Sequence, residues 1–161
     1  MAPKSSRPVD WEQLVTENEN RLYRTALAIL TDPSEAEDAV QETFMKYLEK
    51  RPTLESPEHN KNWLMRVLVN GCKTRLRSPW RKRHVPLDEA LTVASPEERQ
   101  ELEELMALPP KERLVLHLFY YEGYSTAEIA KLTGDPEGTI RSRMSRARSK
   151  LRTLLMDEED L

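Results

Sequence analysis

LPPKERLVLHLFYYEGYSTAEIAKLTGDPEGTIRSRMSRARSKLRTLL, residues 108–155, carries the punctuation for three short helices separated by very tight turns. Pro109 and Pro110 suit the entry to a first helix, in which Leu114, Val115, Leu118 and Phe119 recur at helical spacing, and Gly123 suits its stop. Ser125 with Glu128 three residues on makes a capping box for a second helix with Ile129, Ala130 and Leu132 on its buried face, ended by Gly134. Asp135 is then placed to cap a third helix with Pro136 at its first position. A short helix, a turn containing Gly and a second helix form a helix-turn-helix, whose last helix enters the major groove of DNA.

The third helix supports that reading when its residues are set at about 100° each around the axis. Ile140, Met144, Ala147, Leu151 and Leu155 form an inward stripe. Opposite them lie Gly138, Ser142, Ser145 and Ser149, with Arg141, Arg148 and Arg152 on one flank and Arg143, Arg146 and Lys150 on the other. Small residues on the centre line permit close approach to base edges, read mainly from the N-terminal half of the helix. The flanking cations reach the two phosphate walls of a groove. A solvated amphipathic helix would show the same charge run; the capped short helix before it favours DNA.

These residues resemble the C-terminal promoter-reading domain of bacterial RNA polymerase sigma factors, specifically the extracytoplasmic-function (ECF) group of the sigma-70 family. The shared pattern is LPxxxRxVxxLxYxEGxSxxEIAxxxGxPEGTVxSRxxRARxxLR. The resemblance implies that Thr139, Arg141, Ser142, Arg143 and Arg146 bind the minus-35 promoter element.

The chain of 161 residues has 25 Lys plus Arg against 28 Asp plus Glu, a formal charge of -3, which alone does not suggest nucleic acid. The charge is segregated, however: residues 84–112 hold eight acids and two bases, whereas 136–152 hold six bases and one acid. The single cysteine, Cys72, excludes an internal disulfide framework and fits a reducing cytoplasm, with a structural role expected for the thiol. No apolar run approaches the ~20 residues that span a bilayer, and MAPKSSRPVD lacks a signal-peptide core, so a cytoplasmic protein without membrane insertion is expected. Four glycines and few alternating runs point to an all-α fold. The composition divides it into two small helical domains joined by a flexible linker: a disordered tail at 1–8, a first domain at 9–78, the linker at 79–95, a helix-turn-helix domain at 96–156 and an acidic tail at 157–161.

In the first domain, Trp11, Leu14, Val15, Leu22, Ala26 and Ile29 mark a helix over about 9–30. Asp32, Pro33 and Glu35 open a second helix with Ala36, Val40, Thr43, Phe44 and Tyr47 turned inward and Asp38, Gln41, Glu42, Met45 and Glu49 outward. Such an acidic face is commonly just solvated. DPSEAEDAVQETFMKYLEK nevertheless resembles the sigma segment that grips the clamp helices of the polymerase largest subunit, which implies polymerase contacts for Asp38, Gln41, Glu42 and Phe44, the last open to being a core residue instead. A loop is expected over 51–60, with Ser56 or His59 before a third helix from Lys61 to about Arg77. Arg66, Asn70, Lys73 and Arg77 share one face of that helix, where cations can follow phosphates and the amide can bond an unstacked base. WLMRVLVNGCKTRLRS is similar to the sigma stretch that opens and reads the minus-10 element; the resemblance extends the role to Asn60, Lys61, Arg66, Asn70 and Lys73. Trp63 falls at helical spacing and is expected in the core.

Ser95, Pro96 and Glu98 signal a helix that leads through Leu102, Leu105 and Met106 into the second domain. His59, His84 and His117 lie in separate segments, and there is no GxxxxGK loop, so no metal site, cofactor or catalytic set is expected. The family resemblance implies as partners core RNA polymerase, through the clamp helices and the flap of the second subunit, promoter DNA, and an anti-sigma factor that holds the protein inactive. A free-standing helix-turn-helix repressor is the main alternative, and a regulatory relative that has lost promoter function a third. The acidic and basic faces of the first domain argue against the former, and the intact 138–146 pattern against the latter.

Overall fold

The computed structural model describes residues 10–52, 56–78, 96, 103 and 106–159, with side chains as far as 153. The expected linker at 79–95, residues 1–9 and residues 160–161 lie outside the described residues, as does most of the helix expected after Ser95; residues 157–159 of the expected acidic tail continue the last helix.

Three helices form the first domain: α1 (Trp11–Leu30), α2 (Pro33–Lys50) and α3 (Pro57–Arg77). Each begins where a short polar side chain satisfies the free amides of the first turn. Asp10 accepts from Gln13 N, Asp32 from Ser34 N and Glu35 N, and Ser56 from His59 N. The last of these moves an expected boundary: with Ser56 as cap and Pro57 at the first helical position, residues 57–60 are helical, not loop. Asn60 therefore sits in the first turn of α3. Thr31 and Arg51 end α1 and α2 in the left-handed region, at φ 59° and 41°.

Leu22, Ala26, Ile29 and Leu30 of α1 meet Ala36 of α2 and Leu64, Met65, Leu68 and Val69 of α3 in the core, all buried. Cys72 is buried there too. An aromatic row seals one side: Trp11 meets Phe44 edge-on at 5.7 Å, and Tyr47 meets Trp63 at 5.4 Å. Trp63 is a core-side residue, as its spacing indicated.

In the second domain α4 (Pro110–Leu116) runs into a π-helical turn (His117–Tyr121), followed by α5 (Thr126–Thr133) and α6 (Glu137–Glu159). Both stops are glycines with positive φ, Gly123 at 75° and Gly134 at 78°, a conformation that would strain any side chain. The capping box on α5 is complete: Ser125 Oγ accepts from Glu128 N, and Glu128 Oε1 from Ser125 N. Ile129 and Leu132 pack with Ile140, Met144 and Ala147 of α6 and with Val115 and Leu118. Fully burying each larger side chain contributes about 1.5–3 kcal/mol, enough to hold α5 and α6 at one fixed angle.

The two domains lie against each other, α1 on α4 and α3 on α5, and the apolar cluster runs from one to the other.

Candidate nucleic-acid interface

On α6, Ile140, Met144 and Ala147 are buried, while Gly138, Ser142, Ser145 and Ser149 lie exposed on the opposite side. The small-residue centre line is therefore open. Arg141 and Arg146 are exposed on its two flanks, and Thr139 is half-buried. Arg141 pairs with Glu137 one turn back at 3.3 Å. Arg148 is held by the Tyr120 hydroxyl, which accepts from its Nε at 2.8 Å, and stands over the Phe119 and Tyr120 rings. Lys150 reaches both carboxylate oxygens of Glu112 at 3.0 Å. Among the described residues Arg146 has no acidic partner, so its charge is available to a phosphate.

Asp135 does not act as the expected cap. The first described turn of α6 starts at Glu137, with Ile140 N bonded to the Pro136 carbonyl. Asp135 instead accepts from Arg143 Nη1 at 2.6 Å and lies 4.0 Å from Lys73 Nζ. Burial raises the Asp135 pKa, but the Arg143 hydrogen bond and the nearby cations outweigh it and leave it below the usual carboxylate value.

The face of α3 is divided. Arg66, Asn70 and Arg77 are exposed. Lys73 is not free: its Nζ donates to the Thr133 carbonyl at 2.7 Å, and burial lowers its pKa against the opposing pull of Asp135. Lys61 Nζ stands 5.0 Å over the Tyr124 ring, and Asn60 Oδ1 accepts from the Tyr47 hydroxyl at 3.1 Å. The next amide, Asn62, accepts from the Tyr124 hydroxyl at 3.1 Å. Burial pushes that phenol up to about 12.

On α2, Asp38, Gln41 and Glu42 project outward beside the exposed apolar side chains of Met45 and Leu48. Glu42 also pairs with Arg75 of α3 at 3.1 Å. Phe44 is buried against Trp11, the position of the core alternative, and supports this face from beneath.

A further set of residues escaped the sequence reading. Arg113 donates to the carbonyls of Ala28 and Ile29 at the end of α1, at 2.8 and 2.9 Å, and to Leu108 in its own domain. Glu122 lies among Arg21, Arg24 and His117 at 3.3–3.6 Å, and His117 Nε2 is 3.0 Å from Thr25 Oγ1. Burial raises the Glu122 pKa, but the His117 hydrogen bond and the two arginines bring it below the usual carboxylate value. The hints in sequence were Arg113 and Glu122, which both fall on fixed positions of the pattern LPxxxRxVxxLxYxEG.

The chain matches the family model of sigma-70 region 2 over residues 14–82 and that of sigma-70 region 4 over residues 98–151. It is 30% identical over 150 residues to the ECF RNA polymerase sigma factor SigM of Mycobacterium tuberculosis, with 90% of this chain and 76% of the relative covered. It is 34% identical over 166 residues to a Xanthomonas campestris protein named "Probable RNA polymerase sigma factor RfaY", covering 92% of this chain but only 41% of that longer relative. Among solved structures, the sigma factor RpoE in complex with the anti-sigma factor NepR from Bartonella quintana matches with a TM-score of 0.74 at 26% identity, over 91% of this chain and 97% of that one. The structure of CnrH in complex with the cytosolic domain of CnrY shares the fold, with a TM-score of 0.67 at 24% identity, over 96% of this chain and 92% of that one. With a region 2 bundle followed by a region 4 helix-turn-helix, this chain belongs to the sigma-70 family, in its ECF group, and is a sigma factor that directs RNA polymerase to promoters.

Proposed function

We propose that the chain divides promoter recognition between two faces and polymerase binding onto a third. The C-terminal domain sets α6 into the major groove of the minus-35 element. Thr139, Arg141, Ser142, Arg143 and Arg146 meet bases and phosphates near its N-terminal half. On α3, Arg66, Asn70 and Lys73, with Asn60 and Lys61 in the first turns, hold the unpaired minus-10 strand. Asp38, Gln41 and Glu42, with Met45 and Leu48 beside them, dock on the clamp helices of the polymerase largest subunit. Phe44 keeps α2 in position. The second domain reaches the flap of the second subunit.

The observation that carries this reading is the open line of Gly138, Ser142, Ser145 and Ser149 between two rows of cations on a helix fixed by a capped α5. Groove reading needs close approach at the centre and charge at both walls. The fold shared with sigma factors solved in complex with anti-sigma proteins supports an anti-sigma partner here as well. Among the described residues no helix is long and apolar enough to cross a membrane, which fits a protein working with polymerase in the cytoplasm.

A footprint of purified core polymerase with this protein on promoter fragments tests the division of labour. Protection of duplex at minus-35 together with permanganate-reactive thymines at minus-10 is expected. Protection by the protein alone, with no strand opening when polymerase is added, is the result expected of a repressor and would refute the reading.

A further inference from the structure

Residues 136–152 carry six basic side chains and a single acid, Glu137, and that acid is the first residue of α6. Beside phosphates a carboxylate is repelled; within the groove the donors it can meet are the exocyclic amines of the bases. Glu137 is also held from two directions. Thr126 Oγ1, in the first turn of α5, donates to its Oε1 at 3.1 Å, and Arg141 Nη2, one turn further along α6, lies 3.3 Å from the same oxygen. Among the described residues Oε2 accepts no hydrogen bond, and the side chain stays 41% exposed. The helix dipole alone accounts for an acid in the first turn. It does not call for a threonine from the neighbouring helix to fix one carboxylate oxygen and leave the other open.

From this we infer that Glu137 is a specificity-determining residue of the minus-35 face: its Oε2 accepts from the N4 amine of a cytosine in that element. The inference rests on the reading of α6 as the groove-reading helix. The first residues of such a helix are the ones that approach base edges. In the major groove cytosine shows a carboxylate a donor alone, whereas adenine sets the N7 acceptor beside its N6 amine, and guanine and thymine offer no donor. Thr126 narrows the choice further. With Oε1 tied to the capped α5, Oε2 keeps one direction relative to the groove. The ion pair with Arg141 is exposed on both sides and therefore weak, so removing the carboxylate leaves the arginine on its own flank of the face.

The probe is a set of duplex fragments built on a promoter mapped with the wild-type protein, each minus-35 pair varied in turn, and bound by the full chain in complex with core polymerase. The quantity read is the ratio of affinities between sequences for one protein, which a loss of folded protein does not change. Wild type should favour cytosine about tenfold over the other bases at one pair. Glu137→Ala should lose that preference and keep those at the remaining pairs. Glu137→Gln should turn it toward adenine, whose N6 and N7 suit an amide. Thr126→Val, which leaves the carboxylate in place, should reduce the cytosine preference several-fold without replacing it. Unaltered preferences in Glu137→Ala, with affinity changed equally for every fragment, would overturn the inference and leave Glu137 an end-of-helix charge. Preferences lost at several adjoining pairs together would overturn it as well, since that is the mark of a tilted helix. So would a wild type that reads the minus-35 element without favouring cytosine at any pair. A wild type with no preference at any minus-35 pair would overturn the reading of α6 itself.

Discussion

Arg143 of the recognition helix and Asp135 of the turn before it are joined by a 2.6 Å hydrogen bond, and the arginine side chain is only 13% exposed. The bond ties the first turns of α6 to the preceding loop and fixes the orientation of the Arg143 guanidinium. Arg143→Ala should weaken promoter binding by about 1–3 kcal/mol if the guanidinium meets a base. Asp135→Asn should leave the cation in place but let it wander, relaxing selectivity more than affinity. Binding of the polymerase complex to matched and minus-35-mutated fragments separates the two. An Arg143→Ala protein with unchanged affinity and selectivity removes the residue from the interface.

The outward face of α2 gives a second test. Asp38→Arg with Glu42→Arg should abolish co-purification with core polymerase. Glu42 also pairs with Arg75, but at this exposed pair the stability loss should stay below about 1 kcal/mol. Thermal unfolding of the variant therefore checks that lost binding is not lost folding, and full retention on polymerase would take α2 out of the interface.

Thr31 holds φ at 59°, a region in which a β-branched residue is strained. Thr31→Gly should raise stability by up to about 1 kcal/mol, since the relief of roughly 1–2 kcal/mol of left-handed strain exceeds the added entropy of the unfolded glycine. An upward shift in Tm measures it. A lower Tm would mean that the threonine hydroxyl, which donates to the Leu30 carbonyl, stabilises more than the strain costs.

Acid should loosen the join between domains. The folded Glu122 carboxyl titrates below its ordinary value of 4.5, so its contribution is complete above that pH and is lost as pH falls through the lower folded value. Arg21 and Arg24 stay charged throughout and are left facing a neutral group. The interdomain distance should be narrow at neutral pH and broaden only below about 4.5, and Glu122→Gln should remove that step. Broadening at the same pH in Glu122→Gln would assign the step to another carboxyl.

Much of this architecture was legible from residue patterns. Gly123, Gly134 and the Ser125–Glu128 box mark helix ends by local chemistry, and local chemistry survives folding. The α6 stripe was equally readable, because Ile140, Met144 and Ala147 obey a single period. Boundaries set by competing partners were harder: Asp135 looks like a cap in sequence, but a nearby arginine offers its carboxylate a stronger bond than a backbone amide does. Ser56 was one of two candidate starts for α3, and it prevailed because Pro57 suits the first helical position. Charge complementarity between a basic helix and the acidic linker hinted that the domains could dock, but the residues that join them were not legible, since Lys73 and Thr133, or Arg113 and Ala28, are far apart in sequence and neither pairing leaves a periodic mark. The site residues on α3 were nameable, but not that three of them, Asn60, Lys61 and Lys73, are already engaged.

The central claim is that this chain confers promoter choice on RNA polymerase. Transcription in vitro with purified bacterial core polymerase on pooled genomic fragments, with and without the protein, tests it most directly. Initiation should appear from a defined subset of fragments only when the protein is added, with mapped starts sharing one motif near minus-10 and another near minus-35. An unchanged set of transcripts, under conditions where the protein binds those fragments by itself, would contradict the account.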